Sequence, residues 1–244
     1  MKTMNVLLMT GLLAAGRLFG GIVFTTGTGV YDGSDVVVTP SASLTNSPNQ
    51  IFLRDPRATL QTFQVSSNFE LAEVNLIVRR ALEGAAFTLT LRDFGTTAPA
   101  NSLTPVAVSG ATSLASISHT VTAAQAFGAA GAVTAADPFN TMSWVLSSAV
   151  TLVPGNYYGL VFDGTNVTTG APHIIYSYAL GNPYAGGLGY YQDGNSNDFR
   201  TDVFGSGNNQ QADFALALVA IPEPGTLMLV GIALGALALT RRRR

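Results

Sequence analysis

Apolar and polar side chains alternate in Ala86-Phe87-Thr88-Leu89-Thr90-Leu91-Arg92. Successive side chains of a β-strand point to opposite faces of its sheet, so a period of two is typical of a strand with one buried face. An amphipathic helix would repeat its apolar residues every three or four positions, which this stretch does not do. The stretch therefore predicts a β-strand whose Phe and Leu side chains enter a core.

The same period of two continues on both sides of this stretch. Apolar residues at every second position mark three further strands, within residues 74–78, 158–162 and 214–218. Glu73 belongs to the polar set of the first of these and is predicted to point outward. Turn residues separate the strands, as in Val153-Pro154-Gly155-Asn156. Many short strands at such spacing favour two packed sheets over a parallel α/β sheet.

We therefore predict a mainly β domain, a two-sheet jelly-roll-like sandwich, over residues 22–220. Pro40 to Asn49 is rich in Ser, Asn and Pro and is expected to form a loop inside this domain, not a boundary. The Ala-rich stretch from Thr122 to Ala136 is expected to form either a short helix or a long loop. No internal repeat divides the body, so a single domain is the prediction.

Composition excludes several kinds of chemistry. The chain of 244 residues has no cysteine, which excludes disulfides, thiolate catalysis and Cys-ligated zinc, and it has only two histidines. The two ends hold six of the twelve Lys and Arg but one of the fourteen Asp and Glu, which leaves residues 21–221 with a formal charge of −7. Because phosphate contacts need clustered Lys and Arg, an acidic body is not expected to bind nucleic acid.

The N-terminus is typical of an export signal. Lys2 supplies a positive charge, and the apolar run from Val6 to Ala15 has the usual length of a signal-peptide core. Cleavage after Gly16 would place small residues at the expected positions. We predict a signal peptide over residues 1–21, and a buried first strand or helix is the alternative interpretation.

The C-terminus combines three features in a fixed order. Pro222-Glu223-Pro224 precedes fifteen uncharged residues, 226–240, which are followed by Arg241, Arg242, Arg243 and Arg244. A helix at ~1.5 Å per residue would span about 22 Å, and snorkelling arginines with local thinning can make up the difference to a ~30 Å hydrocarbon core. By the positive-inside rule the arginines stay in the cytoplasm and the acidic body lies outside. We predict a transmembrane helix over residues 226–240.

This order of features resembles the PEP-CTERM sorting tail of exported bacterial proteins, over residues 221–244. In that family an exosortase, an integral-membrane cysteine transpeptidase, recognises the Pro-Glu-Pro tripeptide and removes the tail. The resemblance implies that Pro222, Glu223 and Pro224 are recognised by another enzyme and are not catalytic themselves. It also implies that Arg241 to Arg244 flank the membrane. A plain single-span anchor with a Pro-rich stalk is the alternative.

The order of strand patterns in the body is similar to that of exported bacterial jelly-roll modules, including choice-of-anchor domains. Some of these modules resemble carbohydrate-binding modules. The patterns lie at residues 60–65, 69–76, 152–158, 184–187 and 213–216. This resemblance implies the jelly-roll fold and indicates extracellular polysaccharide as a partner.

Tyrosines provide a candidate glycan-binding site. Tyr184, Tyr190 and Tyr191 are crowded into one Gly-rich region. Because sugar rings stack on exposed aromatic faces, these three residues are candidates for glycan binding.

One oxygen-rich cluster is a candidate calcium site. Asp193, Asn195 and Asn197 alternate as at the start of a calcium loop, but Asp198 stands where a glycine is expected and no bidentate Glu follows. The alternative is a polar β-turn, since Asn, Asp, Gly and Ser favour turns. We predict no resident cofactor or metal, with Ca²⁺ as the alternative.

No pattern of catalytic residues stands out. A glycoside hydrolase would need paired carboxylates, and the glutamates of the body lie in no recognisable catalytic motif. His119 and His173 are interpreted as ordinary strand residues. With the tail resemblance, we predict a non-enzymatic exported protein, transiently anchored in the inner membrane and sorted by exosortase to the cell envelope or extracellular matrix. The alternatives are a carbohydrate-binding module with a specific glycan ligand and a secreted polysaccharide hydrolase.

Overall fold

A computed structural model describes residues 20–26, 36–37, 50–53, 58–128, 139–164, 174–180, 184–192, 197–201 and 211–221. Within these ranges the chain forms fifteen strands and one short helix. The strands are β1 Gly21–Thr25, β2 Val36–Val37, β3 Gln50–Leu53, β4 Ala58–Phe63, β5 Phe69–Ala81, β6 Ala86–Gly95, β7 Ser102–Leu103, β8 Thr112–Thr120, β9 Asn140–Leu152, β10 Tyr157–Asp163, β11 Ile174–Leu180, β12 Gly189–Gln192, β13 Phe199–Arg200, β14 Ala212–Phe214 and β15 Leu216–Ala220; the helix is α1 Pro105–Gly110.

The strands pair into two antiparallel sheets. The first sheet has the order β1-β9-β5-β11-β14, and in it β15 pairs with β5 and β2 while β3 pairs with β11. The second sheet has the order β7-β13-β12-β4-β10-β6-β8. The prediction of a mainly β chain with two sheets is confirmed, and the arrangement is consistent with a sandwich.

Alternating side chains build the main core between the sheets. On β6, Phe87, Leu89 and Leu91 are buried, while Thr88 and Thr90 on the other face are partly exposed. Phe87 packs edge-on against Phe162 of β10, with 5.0 Å between the ring centroids. The first sheet contributes buried residues of β5 and β9 to the same cluster, including Leu76, Met142 and Trp144.

A second, smaller cluster lies on the outer face of the second sheet. Leu60 and Val161 are register partners on β4 and β10, and their side chains pack with Val108 of α1 and with Tyr190. The helix begins where Thr104 accepts a hydrogen bond from the Ala107 N–H and Pro105 occupies its first turn. The sequence did not predict α1, because six residues are too short to show a helical period.

The last predicted strand is divided in two. Residues 214–218 were expected to form one strand, but Ala215 separates β14, which pairs with β11, from β15, which pairs with β5. The Ala215 carbonyl accepts a hydrogen bond from the Ile77 N–H at 3.0 Å, so the break is itself tied to the sheet.

The side chain of Glu73 was predicted to point outward. This prediction is wrong, because Glu73 is only 9% exposed and is therefore buried.

The Ala-rich stretch is only partly described. Within residues 122–128 it forms a turn followed by an isolated bridge between Phe127 and Ala81, and no helix. Residues 129–136, like the expected loop from Pro40 to Asn49, lie outside the described residues.

Close packing of the segment before β12 on β4 makes Gly187 a test of the fold. A Cβ atom at Gly187 would lie 1.8 Å from the Thr62 carbonyl oxygen, whereas a Cβ at Gly110 of α1 would meet no atom within 4 Å. We expect Gly187→Ala to lower the free energy of unfolding by about 1–3 kcal/mol, because the backbone must shift. Gly110→Ala should change it by less than about 1 kcal/mol.

Urea unfolding of the purified protein, followed by fluorescence of its single tryptophan, the buried Trp144, measures both values. Equal unfolding free energies for the two variants would contradict the close approach of Gly187 to β4.

Candidate functional site

The tyrosine-rich region begins with a segment, residues 184–188, that lies along β4. The Tyr184 hydroxyl donates a hydrogen bond to the Gln64 carbonyl at 2.9 Å. The Thr62 N–H donates to the Leu188 carbonyl at 2.9 Å, and the Leu188 N–H donates to the Thr62 hydroxyl at 2.9 Å. Backbone and side-chain bonds together therefore hold this segment against the second sheet.

A buried polar pair joins this segment to both sheets. Gln61 of β4 and Asp213 of β14 are fully buried, and the Gln61 Nε2 donates to the Asp213 Oδ1 at 2.9 Å. The Asp213 Oδ2 accepts the Tyr184 N–H at 2.9 Å, and the Gln61 Oε1 accepts the Phe214 N–H at 2.7 Å. Because Gln61 lies in the second sheet and Asp213 in the first, this network bridges the sandwich.

Burial controls the ionisation of this network. It raises the pKa of Asp213 to about 6, against the lowering effect of the hydrogen bonds from Tyr184 and Gln61. Burial likewise raises the pKa of Tyr184, and it raises the pKa of Tyr190 to about 12. The side chain of Asp213 has no exposed surface. Its carboxylate therefore joins structural elements and does not face solvent where a substrate could meet it.

The structure separates the three candidate tyrosines. Tyr190 is fully buried in the outer cluster, and its hydroxyl donates to the Ala100 carbonyl at 3.0 Å. Tyr184 and Tyr191 are half-buried and pack against the main core, on the other side of the second sheet. Tyr190 therefore offers no exposed ring face, and the glycan-binding prediction is left with Tyr184 and Tyr191.

The candidate calcium residues are described only in part. Asp193 and Asn195 lie outside the described residues. Asn197 is exposed with a φ of 60°, and its carbonyl accepts a hydrogen bond from the Gln192 Nε2 at 3.1 Å. Asp198 is half-buried. Within the described ranges, no three Asp, Glu or His side chains are grouped closely enough to hold a metal ion. With Asp193 and Asn195 outside the described residues, the structure does not test the calcium alternative.

Three described residues of types that often serve in catalysis, Glu70, Asp93 and His119, make hydrogen bonds within the fold. The Glu70 Oε1 accepts the Thr151 hydroxyl at 2.7 Å. Asp93 accepts the Gly95 N–H at 2.7 Å and the Asn156 Nδ2 at 3.0 Å. The His119 Nε2 is hydrogen-bonded to the Gln125 Oε1 at 2.9 Å. His173 lies outside the described residues.

Sequence reasoning missed the Gln61–Asp213 pair, because 152 positions separate the two residues. Asp213 did leave one signal in the sequence. It is the single charged residue in the run from Ala212 to Ile221, which is otherwise apolar. A charged residue in such a run indicates a buried partner, since an unpaired buried charge is costly.

The sorting tail leaves the body directly from the first sheet. The N–H of Ile221 donates a hydrogen bond to the Glu70 carbonyl at 2.9 Å, one residue beyond the end of β15. Pro222, the first residue of the tripeptide, follows at once. Pro222, Glu223, Pro224 and the cluster Arg241 to Arg244 lie outside the described residues, as do residues 1–19 of the predicted signal peptide.

The part of the chain that the structure describes contains no helix long and apolar enough to cross a membrane. The predicted transmembrane helix, residues 226–240, falls outside that part.

The comparison with protein families bears on the tail. Residues 220–244 match the family model of the PEP-CTERM protein-sorting motif. The prediction of a sorting tail at the C-terminus is thereby confirmed. No curated protein and no solved structure matches the chain.

Ionisation of Asp213 gives a test of the buried network. Its pKa is about 6 in the folded protein against an ordinary value of 3.8, so the folded state binds the proton more tightly than the unfolded state. Stability should therefore rise as the pH falls through about 6 and level off below about 3.8. Between about pH 7.5 and about pH 5 we expect this group to add about 1.4 kcal/mol to the free energy of unfolding.

Urea unfolding at the two pH values measures this gain. Asp213→Asn should remove it, because the amide does not titrate. Glu83→Gln, which alters an exposed carboxylate in the turn before β6, should keep it. If the parent protein and Asp213→Asn show the same pH dependence, the assignment to Asp213 is wrong.

Proposed function

We propose that this chain is a non-enzymatic exported bacterial protein that an exosortase sorts to the cell envelope or the extracellular polysaccharide matrix. The observation that carries the proposal is the match of residues 220–244 to the PEP-CTERM sorting motif. In this proposal Pro222, Glu223 and Pro224 are recognised by the exosortase, and residues 226–240 span the inner membrane until the tail is removed.

The exit of the tail supports this proposal. Among the described residues, Ile221 is the last one hydrogen-bonded to the sheet, and the apolar run begins at Thr226. The five Cα–Cα steps from Ile221 to Thr226 span at most about 18 Å when the chain is fully extended. The folded body would therefore stand next to the lipid headgroups, with the tripeptide between the body and the membrane. That position suits an enzyme that is itself embedded in the membrane.

The first strand is compatible with a cleaved signal peptide. A Cβ atom at Gly20 would lie 2.5 Å from the Ser147 nitrogen, so Gly20 packs directly on β9, and β1 follows at Gly21. Cleavage after Gly16 would leave this contact and all of β1 in the mature protein, whereas a cut after Gly21, at the end of the predicted signal peptide, would remove Gly20 and the first residue of β1. In the proposal the mature domain then extends through residue 220 as one jelly roll.

The carbohydrate-binding module is a second candidate, since the half-buried rings of Tyr184 and Tyr191 keep part of their surface accessible. A glycan array separates the two candidates. Binding to the array that is lost in Tyr191→Ala would favour a glycan ligand. A separate assay, turnover of a polysaccharide by the purified protein, tests the hydrolase alternative.

The tripeptide tests the sorting proposal. Glu223→Ala removes the single carboxylate of the tripeptide but keeps both prolines, the apolar run and the arginines. We expect membrane insertion to continue, because the apolar run drives insertion and the arginines set its orientation. Trimming should be lost, and full-length protein should accumulate in the membrane fraction.

The experiment uses cells that contain an exosortase, with fractionation and the mass of the C-terminal fragment as readouts. Glu83→Ala is the matched control, since it removes one exposed carboxylate from the body, and it should be trimmed like the parent. Efficient trimming and release of the Glu223→Ala protein would show that the sorting proposal is wrong.

A further inference from the structure

The last strand of the second sheet presents an edge that no described strand covers. Within the described ranges, the backbone of β8 pairs with β6 alone, and β8 is the end strand of its sheet. Its nine residues include no Asp, Glu, Lys, Arg or Pro. Sheet proteins usually protect an edge of this length with a charge, a proline or a bulge. The pairing with β6 has one bulge, at Leu114 of β8, so the stretch that pairs regularly and has none of these protections is Ala115–Thr120.

The outer face of this edge carries a row of hydroxyl groups. Ser116 and Ser118 are exposed. Their hydroxyls pair with those of Thr90 and Thr88 on β6, at 3.0 Å and 2.9 Å. Such cross-strand hydroxyl pairs stabilise neighbouring strands, and another strand with Ser or Thr at these positions could extend the row.

The inner face of the edge borders a groove of mixed polarity between β8 and β9, whose lining also includes Ser147 and Ser148. The groove has a volume of about 190 Å³, and its lining includes Leu114 and Ile117 of β8 and Trp144, Leu146 and Val150 of β9. Ile117 is half-buried, so part of its side chain stays exposed at this end of the sandwich. A strand added to β8 would cover both the groove and Ile117.

We propose that β8 pairs antiparallel with β8 of a second copy of this chain, around a two-fold axis at Ile117. Side chains directly opposite each other in an antiparallel pair lie on the same face of the sheet. Two identical strands therefore keep their inner and outer faces aligned only when the two-fold axis passes through a residue and not between two residues. An axis at Ile117 places this side chain against its own copy beside the groove. The same axis pairs Ser116 with Ser118 of the second copy, so the hydroxyl row continues across the interface.

Charge restricts where two copies of this chain could meet. Residues 21–221 carry a formal charge of −7, so two copies repel each other over most of their surface. The β8 edge is a nine-residue stretch without a charged side chain, and identical strands can meet there without like-charge contact. The inference does not rest on the sorting tail, although anchoring in one membrane would raise the effective concentration of the copies.

Paired charges test the interface and its register. In the proposed register, the variant Ser116→Lys/Ser118→Lys places Lys opposite Lys in both symmetric pairs, and the dimer should dissociate on the order of tenfold more readily. The variant Ser116→Lys/Ser118→Glu places Lys opposite Glu in both pairs and should restore the dimer. Both variants change the same exposed positions, so loss of folding would affect them alike.

Sedimentation velocity of the full chain in detergent measures the association, and Trp144 fluorescence checks the fold. A dimeric parent, a dissociated Lys/Lys variant and a restored Lys/Glu variant would support the proposal. A monomeric parent would overturn it, as would a dimer that resists the Lys/Lys change. Dissociation in both variants would overturn the register at Ile117. Binding of β8 to a different protein, with no self-association, would also overturn the proposal.

Discussion

The structure depends on the backbone pairing of β5, the central strand of the first sheet. One edge of β5 pairs with β9 from Phe69 to Val78, and the other edge pairs with β15 and then with β11. Through β9 it positions β1, and through β15 it positions the residue that precedes the tail. One strand of thirteen residues therefore fixes the places where the described body begins and ends.

Local pattern determined what could be predicted about the fold. The alternation in residues 86–92 is visible in the sequence because the polarity of each side chain indicates whether it faces the core or the solvent. The break at Ala215 is not visible, because it depends on a hydrogen bond from Ile77, which is 138 positions away. The burial of Glu73 likewise depends on the elements packed around its strand, which the alternation of polar and apolar residues within the strand does not show.

The same distinction applies to the candidate site. The sorting tail is a linear motif whose features are adjacent in sequence, so the sequence was sufficient to identify it. The three tyrosines are also adjacent or nearly so, but Tyr190 is buried in a cluster with residues distant in sequence, among them Leu60 and Val108. Packing against a distant element, not residue type, therefore decides which of these rings could meet a ligand.

The hydrogen bond between Ile221 and Glu70 also has a mechanical consequence. Tension on the tail enters the body through Ile221 and β15, and its component along the strand pulls β15 lengthwise. The hydrogen bonds of an antiparallel pair are perpendicular to the strands, so such a pull loads the bonds to β5 and β2 together, in shear. Peeling would break the same bonds one at a time and needs less force. Against that lengthwise component, the join between tail and body has the geometry in which a β-sheet best resists being pulled apart.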